Sequence, residues 1–302
     1  MNTMPTSHVT REIATQPDVW ADPRVLEQSL RLPKHGSWVG VVGCGTSLYI
    51  AQSYAAFRED QGFGRTDAFP ASLAPRREWD CLLGISRSGT TTEVLDVLGH
   101  AKAKTKIVLT ANADGPIADL ADELLVMSFA DEESVVQTRF ATTALVTLLT
   151  SVGYSVQTSL DDTRSSFATD LEIQKWHKAR QFVFVGIGWT YGIANEAALK
   201  LREMAGAWSE SYPAMEYRHG PISVADEATL LWGFGPRDEA LIEQVKAAGA
   251  QVYWPDCDPL ASLVAVQRLG LVLAEKNGWN PDSPRNLTRS VILNGLNQPS
   301  AS

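Results

Sequence analysis

A strand-like apolar run that leads into a G-x-G turn occurs twice in this chain. The first copy reads VGVVGCG (39–45) and the second reads FVFVGIG (182–188). Each is followed, at the same spacing, by a helical pattern that contains Ile-Ala, at Ile50 or at Ile193. Strands that alternate with helices of about 10–15 residues form βαβ units with parallel strands. The predicted fold class is therefore α/β, with two similar doubly wound halves, each with a mainly parallel sheet flanked by helices.

The boundary between the halves is predicted in the polar stretch 153–170, where Asp161, Asp162 and Thr163 interrupt the periodicity. A length of 302 residues allows two domains of about 150 residues, each with its own core. The predicted units are an N-terminal helical segment at 1–34, a first domain with phosphate loops at 35–155, and a second domain with a carboxylate helix and a C-terminal tail at 170–302.

Composition excludes several classes of partner. A formal net charge of −9 without a long basic run argues against nucleic acid as a partner. The short run Lys102, Lys104, Lys106 is interpreted as the solvated end of a helix from Glu93 to Ala103. Another helix is expected to begin at Ile117–Ala121. The scattered cysteines and histidines predict neither a disulfide framework nor a metal site.

No apolar run approaches the roughly 18 residues that a membrane-spanning helix needs, so no membrane contact is expected. The first 20 residues lack the apolar core of a signal peptide. We therefore expect a cytoplasmic protein.

Two hydroxyl-rich segments follow predicted strands of the first half. Gly45-Thr46-Ser47 follows the first G-x-G turn, and SRSGTT (86–91) follows a strand from Cys81 to Ile85. In open parallel sheets, ligands bind beyond the carboxyl ends of the strands, where helix N-termini expose N–H groups. These hydroxyls either cap helices or bind a phosphate monoester, and each segment alone leaves both interpretations open. A dinucleotide site is disfavoured because Leu48 and Tyr191 occupy the third glycine position of G-x-G-x-x-G.

The second half carries a candidate set of acid–base residues. Glu196, Lys200 and Glu203 are spaced i, i+4 and i+7, so they share one helical face. A surface stripe would have the same spacing. The stripe begins just after a G-x-G turn, however, and a polar loop with His219 before Gly-Pro follows it. Carboxylates, a lysine and a histidine near a sheet edge are typical of proton-transfer sites.

Taken in order, these signals resemble the sugar-isomerase-domain (SIS) family, and within it the isomerase part of glutamine–fructose-6-phosphate aminotransferase. The motifs that carry the resemblance are Arg11-Glu12-Ile13, 43–47, 86–91, 132–139, 195–203, His219-Gly220-Pro221 and Pro284-Arg285-Asn286-Leu287. The resemblance implies tandem SIS domains, a sugar 6-phosphate substrate, no metal or organic cofactor, and a homodimer with shared active sites. It does not extend to a glutamine-hydrolysing domain, so no use of glutamine is expected.

The resemblance also implies a role for individual residues. Glu203 corresponds to the base that moves a proton between C1 and C2, with Glu196 and Lys200 shaping its surroundings. His219 corresponds to a residue that assists ring opening in the neighbouring subunit's site. The implied phosphate ligands are Ser47, Ser86, Arg87, Ser88 and Thr91. Further implied substrate contacts are Gly45, Thr46, Val135 and Arg289.

Arg289 stands where the synthase has a lysine, and an arginine does not form a Schiff base. The expected function is therefore that of a phosphosugar isomerase or deaminase, acting on a hexose or amino-sugar 6-phosphate through an enediol or enolate. Two alternatives remain open. One is a dehydratase that eliminates the C3 hydroxyl of N-acetylglucosamine 6-phosphate. The other is a non-catalytic sugar-phosphate sensor, which would need the hydroxyl loops but no base.

Overall fold

The computed structural model describes residues 7–168, 175–176 and 178–293. The strands are β1 (Val39–Gly43), β2 (Thr66–Pro70), β3 (Glu78–Ile85), β4 (Lys102–Thr110), β5 (Glu123–Val126), β6 (Gln181–Gly186), β7 (Trp208–Pro213), β8 (Thr229–Phe234) and β9 (Gln251–Tyr253). The helices are α1 (His8–Ala14), α2 (Gln16–Trp20), α3 (Pro23–Ser29), α4 (Thr46–Asp60), α5 (Thr92–His100), α6 (Arg139–Thr150), α7 (Gln157–Ala168), α8 (Thr190–Ala205), α9 (Glu239–Ala247) and α10 (Pro259–Asn277).

The strands form two parallel sheets with the same internal order. The first sheet runs β2-β1-β3-β4-β5 and the second β7-β6-β8-β9. In each half the strand before the G-x-G turn is an interior strand, and the next two strands along the chain lie on its two sides. The predicted α/β fold with two similar halves is confirmed.

The two halves share one core. Alternate residues of β1 face opposite sides of its sheet: Val41 packs in the central cluster, whereas Val42 packs with Trp79 in an outer one. The central cluster also contains Phe184 of β6, so it joins both sheets. Helix α4 packs against α6 and α8, and α8 packs against α10, so the contact between α4 and α8 joins the halves. Because helices cover both faces, the strands are continuous apolar runs and not alternating ones.

Helices α4 and α8 approach each other closely at Gly192. A Cβ atom at this position would lie 2.6 Å from the backbone nitrogen of Ser53 and from the carbonyl oxygen of Tyr49. We expect Gly192→Ala to lower the free energy of unfolding by about 1–3 kcal/mol, because the backbones must separate. The matched variant is Gly99→Ala in α5, where a Cβ meets nothing within 4 Å. It should change stability by less than about 1 kcal/mol. Equal urea denaturation midpoints for the two variants would contradict the close contact.

The helix predicted from Glu93 to Ala103 is wrong at its end. Helix α5 stops at His100, and strand β4 begins at Lys102, so the lysine run lies on a strand. Along the strand, exposed Lys102 and Lys104 alternate with half-buried neighbours, as the two-residue period of a strand requires. Lys104 pairs with Asp80 on the adjacent strand at 2.7 Å. This cross-strand partner is distant in sequence, so the local pattern did not reveal it.

Two other segments differ from expectation. The helix expected at Ile117–Ala121 is a single 3₁₀ turn, Ala118–Leu120. The polar boundary stretch contains a full helix, α7, which packs on α10 and α2. Its buried face includes Ser159, Leu160 and Thr163, so mostly hydroxyl residues replace the apolar ones that make periodicity visible.

The predicted domain limits at 1, 170 and 302 lie outside the described residues. None of the described helices has the length and apolarity needed to cross a bilayer.

Candidate active site

The two hydroxyl-rich segments lie side by side at the carboxyl edge of the first sheet. Strands β1 and β3 are paired, with Val42 opposite Gly84, so the loops that follow them are neighbours. The first loop turns sharply into α4: Gly45 has a φ of +54°. A Cβ at Gly43 would lie 2.8 Å from Ser47. Glycine at these positions therefore lets the N-terminus of α4 face the sheet edge.

The second loop is held by its own hydroxyls. Ser86 Oγ lies 3.2 Å from Thr91 Oγ1 and accepts a hydrogen bond from the Gly89 backbone N–H. Ser88 Oγ accepts hydrogen bonds from the backbone N–H and the hydroxyl of Thr90. The left-handed Gly89, with a φ of +69°, closes the turn. These contacts place several hydroxyl groups on one short loop, in an arrangement that a phosphate can use.

Arg87 points away from these hydroxyls. Its guanidinium donates to the carbonyl oxygens of Ser134 (3.0 Å) and Val135 (3.1 Å) and lies 3.7 Å from Glu132. The side chain is only 1% exposed. Burial lowers the pKa of Arg87, while the charge of Glu132 opposes that shift.

Glu196, Lys200 and Glu203 form a compact cluster on α8. Lys200 Nζ lies 3.3 Å from Glu196 and contacts Glu203 more closely still. It also donates to Thr46 Oγ1 at 3.0 Å, and Thr46 in turn donates to Glu196 at 3.3 Å. The spacing on one helical face therefore builds a cluster. Thr46 connects it to the first hydroxyl loop.

Exposure distinguishes the two carboxylates. The side chain of Glu196 is 1% exposed, whereas that of Glu203 is 17% exposed. Burial raises the pKa of Glu196 to about 7, although Lys200 opposes the shift. For Lys200 burial alone would lower the pKa, but Glu196 and Glu203 more than offset this and raise it. The site therefore holds a protonated lysine between a buried carboxyl and a partly accessible one.

The raised pKa of Glu196 makes stability depend on pH. A carboxyl whose folded pKa is raised contributes most below its unfolded value, and the contribution is lost as pH rises through the folded pKa. Between pH 4.5 and about 7 we expect this group to lower the free energy of unfolding by about 3 kcal/mol. Glu196→Gln should remove that slope in urea denaturation at several pH values. If stability depends on pH in the same way in the wild type and in the variant, the pKa of Glu196 is not the cause of the slope.

His219 lies outside this cluster. It follows a 3₁₀-helix, Ala214–Arg218, and is exposed. In the described part of the chain, no hydrogen bond or ion pair joins its side chain to the carboxylates. The structure thus brings Glu196, Lys200 and Glu203 together and leaves His219 on the surface.

The C-terminal tail, residues 282–293, returns to the first half. Ser290 Oγ accepts hydrogen bonds from the hydroxyls of Ser88 and Thr90, and the Thr92 N–H donates to the carbonyl of Val291. The Arg289 guanidinium binds both carboxylate oxygens of Asp131 and the carbonyl of Glu132. Arg289 is therefore engaged by the protein itself beside the hydroxyl loop.

The sequence assigned no role to three residues that shape this region: Glu12, Glu132 and Ser290. Glu12 accepts hydrogen bonds from the N–H groups of Glu133 and Ser134. Glu132 accepts from the Thr138 and Arg139 N–H groups at the start of α6. The sequence did carry one signal for Glu132: a carboxylate shortly before a helix can cap the N–H groups at the start of that helix. Nothing in the local pattern indicated Ser290.

Two surface depressions of about 410 Å³ lie away from the carboxylates. One is at the amino-terminal edge of the first sheet, beside Trp38 and Trp79. The other includes Thr90 of the hydroxyl loop, Thr92 at the start of α5 and Ile292 of the tail. Among the described residues, no three His, Cys, Asp or Glu side chains converge as metal ligands do.

Comparison with known proteins identifies the second half directly. Residues 175–254 match the family model described as "SIS domain". The chain therefore contains a SIS domain. It is also homologous to the isomerase part of glutamine–fructose-6-phosphate aminotransferase. The enzyme of that name from Caldanaerobacter subterraneus subsp. tengcongensis is 26% identical over 313 residues, covering 84% of this chain and 51% of the relative. The chain spans about half the length of the curated relatives it matches.

Solved structures of other proteins agree with the whole fold. Glucosamine-6-phosphate deaminase from Thermotoga maritima superimposes with a TM-score of 0.79 and 26% identity, covering 95% of this chain and all of that one. The C-terminal domain of glucosamine-fructose-6-phosphate aminotransferase from Francisella tularensis has a TM-score of 0.77 at 20% identity, covering 94% and 100%. The first half, which lies outside the SIS match at 175–254, is thus included in the structural similarity.

Proposed function

We propose that this SIS chain is a phosphosugar isomerase or deaminase that acts on a hexose or amino-sugar 6-phosphate. The observation that carries the proposal is the cluster on α8: a fully buried lysine between two carboxylates, bonded to Thr46 at the start of a hydroxyl loop. Isolated buried charges are costly, and such clusters occur at sites that move protons. The relatives named for fructose 6-phosphate and glucosamine 6-phosphate support a sugar phosphate as the ligand.

The phosphate group is assigned to the hydroxyl loops. Ser47 lies in the first turn of α4, where the positive end of the helix dipole favours an anion. Ser86, Ser88 and Thr91 supply hydroxyls from the adjacent loop. Because the protein has a net charge of −9, a local site of N–H and hydroxyl donors is a suitable way for it to hold a dianion.

The proton transfer is assigned to Glu203. Its side chain is the more accessible of the two carboxylates, so it can reach the carbon next to the carbonyl of an open-chain sugar. Removal of that proton leaves an enediol or enolate, and protonated Lys200 stabilises the oxyanion that develops. Glu196, buried behind the lysine, holds Lys200 in place. A carboxylate base next to a cation suits chemistry α to a carbonyl.

The intermediate has several exits. Reprotonation at the neighbouring carbon gives aldose–ketose isomerisation. For an amine at C2, the proton moves to C1 and leaves an imine at C2, which water hydrolyses to the ketose phosphate with release of ammonia. Deamination is the exit we favour for an amino-sugar substrate, since the deaminase from Thermotoga maritima covers nearly the whole chain at 26% identity.

Proton NMR in D2O with the purified chain tests the proposal. The substrates are the 6-phosphates of fructose, glucosamine and N-acetylglucosamine. We expect deuterium to enter C1 or C2 of the first or second sugar, with ammonia released from glucosamine 6-phosphate if the exit is deamination. Elimination of the C3 hydroxyl from the third sugar alone would replace the proposal by a dehydratase. Tight binding without exchange would replace it by a sensor.

We also propose that the chain forms a homodimer with shared active sites and works in the cytoplasm. Exposed His219 has no partner in the cluster of its own chain, as expected of a residue that acts on a neighbouring subunit's site. Mixing inactive His219→Ala with inactive Glu203→Gln should then restore part of the activity, because one mixed site contains both intact residues. Unchanged inactivity of subunits that demonstrably exchange would contradict shared sites.

A further inference from the structure

Arg87 lies in the middle of the hydroxyl loop, yet its charge is inside the protein. Its side chain is 1% exposed and the facing carboxylate of Glu132 is 0% exposed. The guanidinium donates hydrogen bonds to two successive carbonyl oxygens, those of Ser134 and Val135. Such a planar fork bridges two fixed acceptors in a geometry that the compact ammonium group of a lysine does not reproduce. The guanidinium also donates to the Arg289 carbonyl of the tail at 3.4 Å. The geometry is that of a connection between the hydroxyl loop and neighbouring backbone segments.

The second segment, Glu132–Val135, lies at the same edge of the sheet as the hydroxyl loop. It follows β5, and β5 is parallel to β4 and β3, so all their carboxyl ends face one way. Its other side is fixed by Glu12, which accepts from the Glu133 and Ser134 N–H groups. In the described part of the chain, the hydrogen bonds and ion pairs between residues 86–91 and 132–135 all come from the Arg87 side chain.

The hydroxyl loop itself does not depend on that side chain. The Arg87 carbonyl accepts from the Ala111 N–H and from the Thr110 hydroxyl, which anchor the backbone to the end of β4. Ser86 and Thr91 also contact each other directly. Loss of the guanidinium should therefore loosen the second segment on the side that faces the hydroxyl loop, although Glu12 and the Asp282 carbonyl still accept from its N–H groups. The phosphate hydroxyls should stay in place.

We propose that Arg87 is a positioning residue and not a phosphate ligand: its guanidinium fixes the Glu132–Val135 segment against the hydroxyl loop and so sets where the sugar carbons lie relative to their phosphate. This inference deepens the proposed function and rests on it for the identity of the ligand. It replaces the role of direct phosphate ligand that the resemblance implied for Arg87. Phosphate affinity then comes from hydroxyl and N–H donors alone.

Titration calorimetry with two probes separates the roles. In Arg87→Lys and Arg87→Gln we expect the dissociation constant of inorganic phosphate to change by less than about threefold. Affinity for glucosamine 6-phosphate or fructose 6-phosphate should fall about tenfold in both variants, as expected when a hydrogen bond between the sugar and the displaced segment is lost. The control is Arg76→Gln, an exposed arginine. If the lysine variant keeps wild-type sugar-phosphate affinity while the glutamine variant loses both ligands equally, Arg87 is a phosphate ligand and the inference is overturned.

Hydrogen exchange without ligand tests the connection independently of function. Amides of Glu133, Ser134 and Val135 should exchange at least about tenfold faster in both Arg87 variants, with residues 86–91 unchanged. Unchanged protection of 133–135 would overturn the positioning role even if the chain proves to be a sugar-phosphate enzyme. Faster exchange in a chain that binds no sugar phosphate would refute the proposed function and leave the positioning role standing. Arg87→Lys keeps a charge opposite Glu132, so it provides a folded variant if Arg87→Gln does not fold.

Discussion

Glu203→Gln is expected to lower kcat by about 10²–10⁴-fold while changing sugar-phosphate affinity only a few-fold. The amide keeps the shape of the side chain but accepts no proton. Lys200 keeps its contact with Glu196, 3.3 Å away, so the cluster should remain assembled. The measurement is initial-rate kinetics on the substrate identified by NMR, together with calorimetric binding of the same sugar phosphate.

The control for this variant is Glu275→Gln, an exposed carboxylate of α10, which should leave kcat unchanged. Deuterium exchange provides the more direct readout, because it reports proton abstraction even when product release limits the rate. If Glu203→Gln still exchanges the C1 or C2 proton at the wild-type rate, the base is a different group. Loss of exchange in Glu196→Gln alone would assign that role to the buried carboxyl.

Lys200→Met is expected to cause the largest loss of stability, about 3–5 kcal/mol at pH 8, because it leaves the buried Glu196 without its cation. The lysine side chain is 0% exposed, so water cannot replace it. Without the lysine, the pKa of Glu196 should rise further above its ordinary value of 4.5. The variant then loses stability as pH rises and Glu196 ionises. At pH 5 the carboxyl is protonated, so much of the stability should be recovered.

Urea denaturation at pH 5 and pH 8 measures both effects. Lys102→Met is the matched control: Lys102 is 80% exposed and lies 3.7 Å from an equally exposed Glu78. That surface pair should contribute less than about 1 kcal/mol at either pH. Similar losses in the two variants, or a loss in Lys200→Met that does not depend on pH, would show that the charge of Lys200 is not what stabilises the buried carboxyl.

Much of the fold was predictable because its signals are local. The apolar runs at β1 and β6 are continuous, as in strands covered on both faces, and the G-x-G turns mark where helices begin. The two wrong predictions, at α7 and at the start of β4, arose where the local sequence pattern was misleading. Helix α7 buries Ser159 and Thr163, so it lacks an apolar stripe. The lysines of β4 resembled a helix end because the carboxylates that pair with Lys102 and Lys104 lie on another strand.

The sequence by itself determined the two-part α/β fold and the grouping of Glu196, Lys200 and Glu203, because the 3.6-residue period of a helix fixes which side chains share a face. Only the tertiary structure decided that this face is buried and bonded to Thr46. It also directed Arg87 into the protein and returned Ser290 to the hydroxyl loop. These contacts join residues far apart in the chain. They depend on how whole helices and loops pack, which spacing along the sequence does not encode.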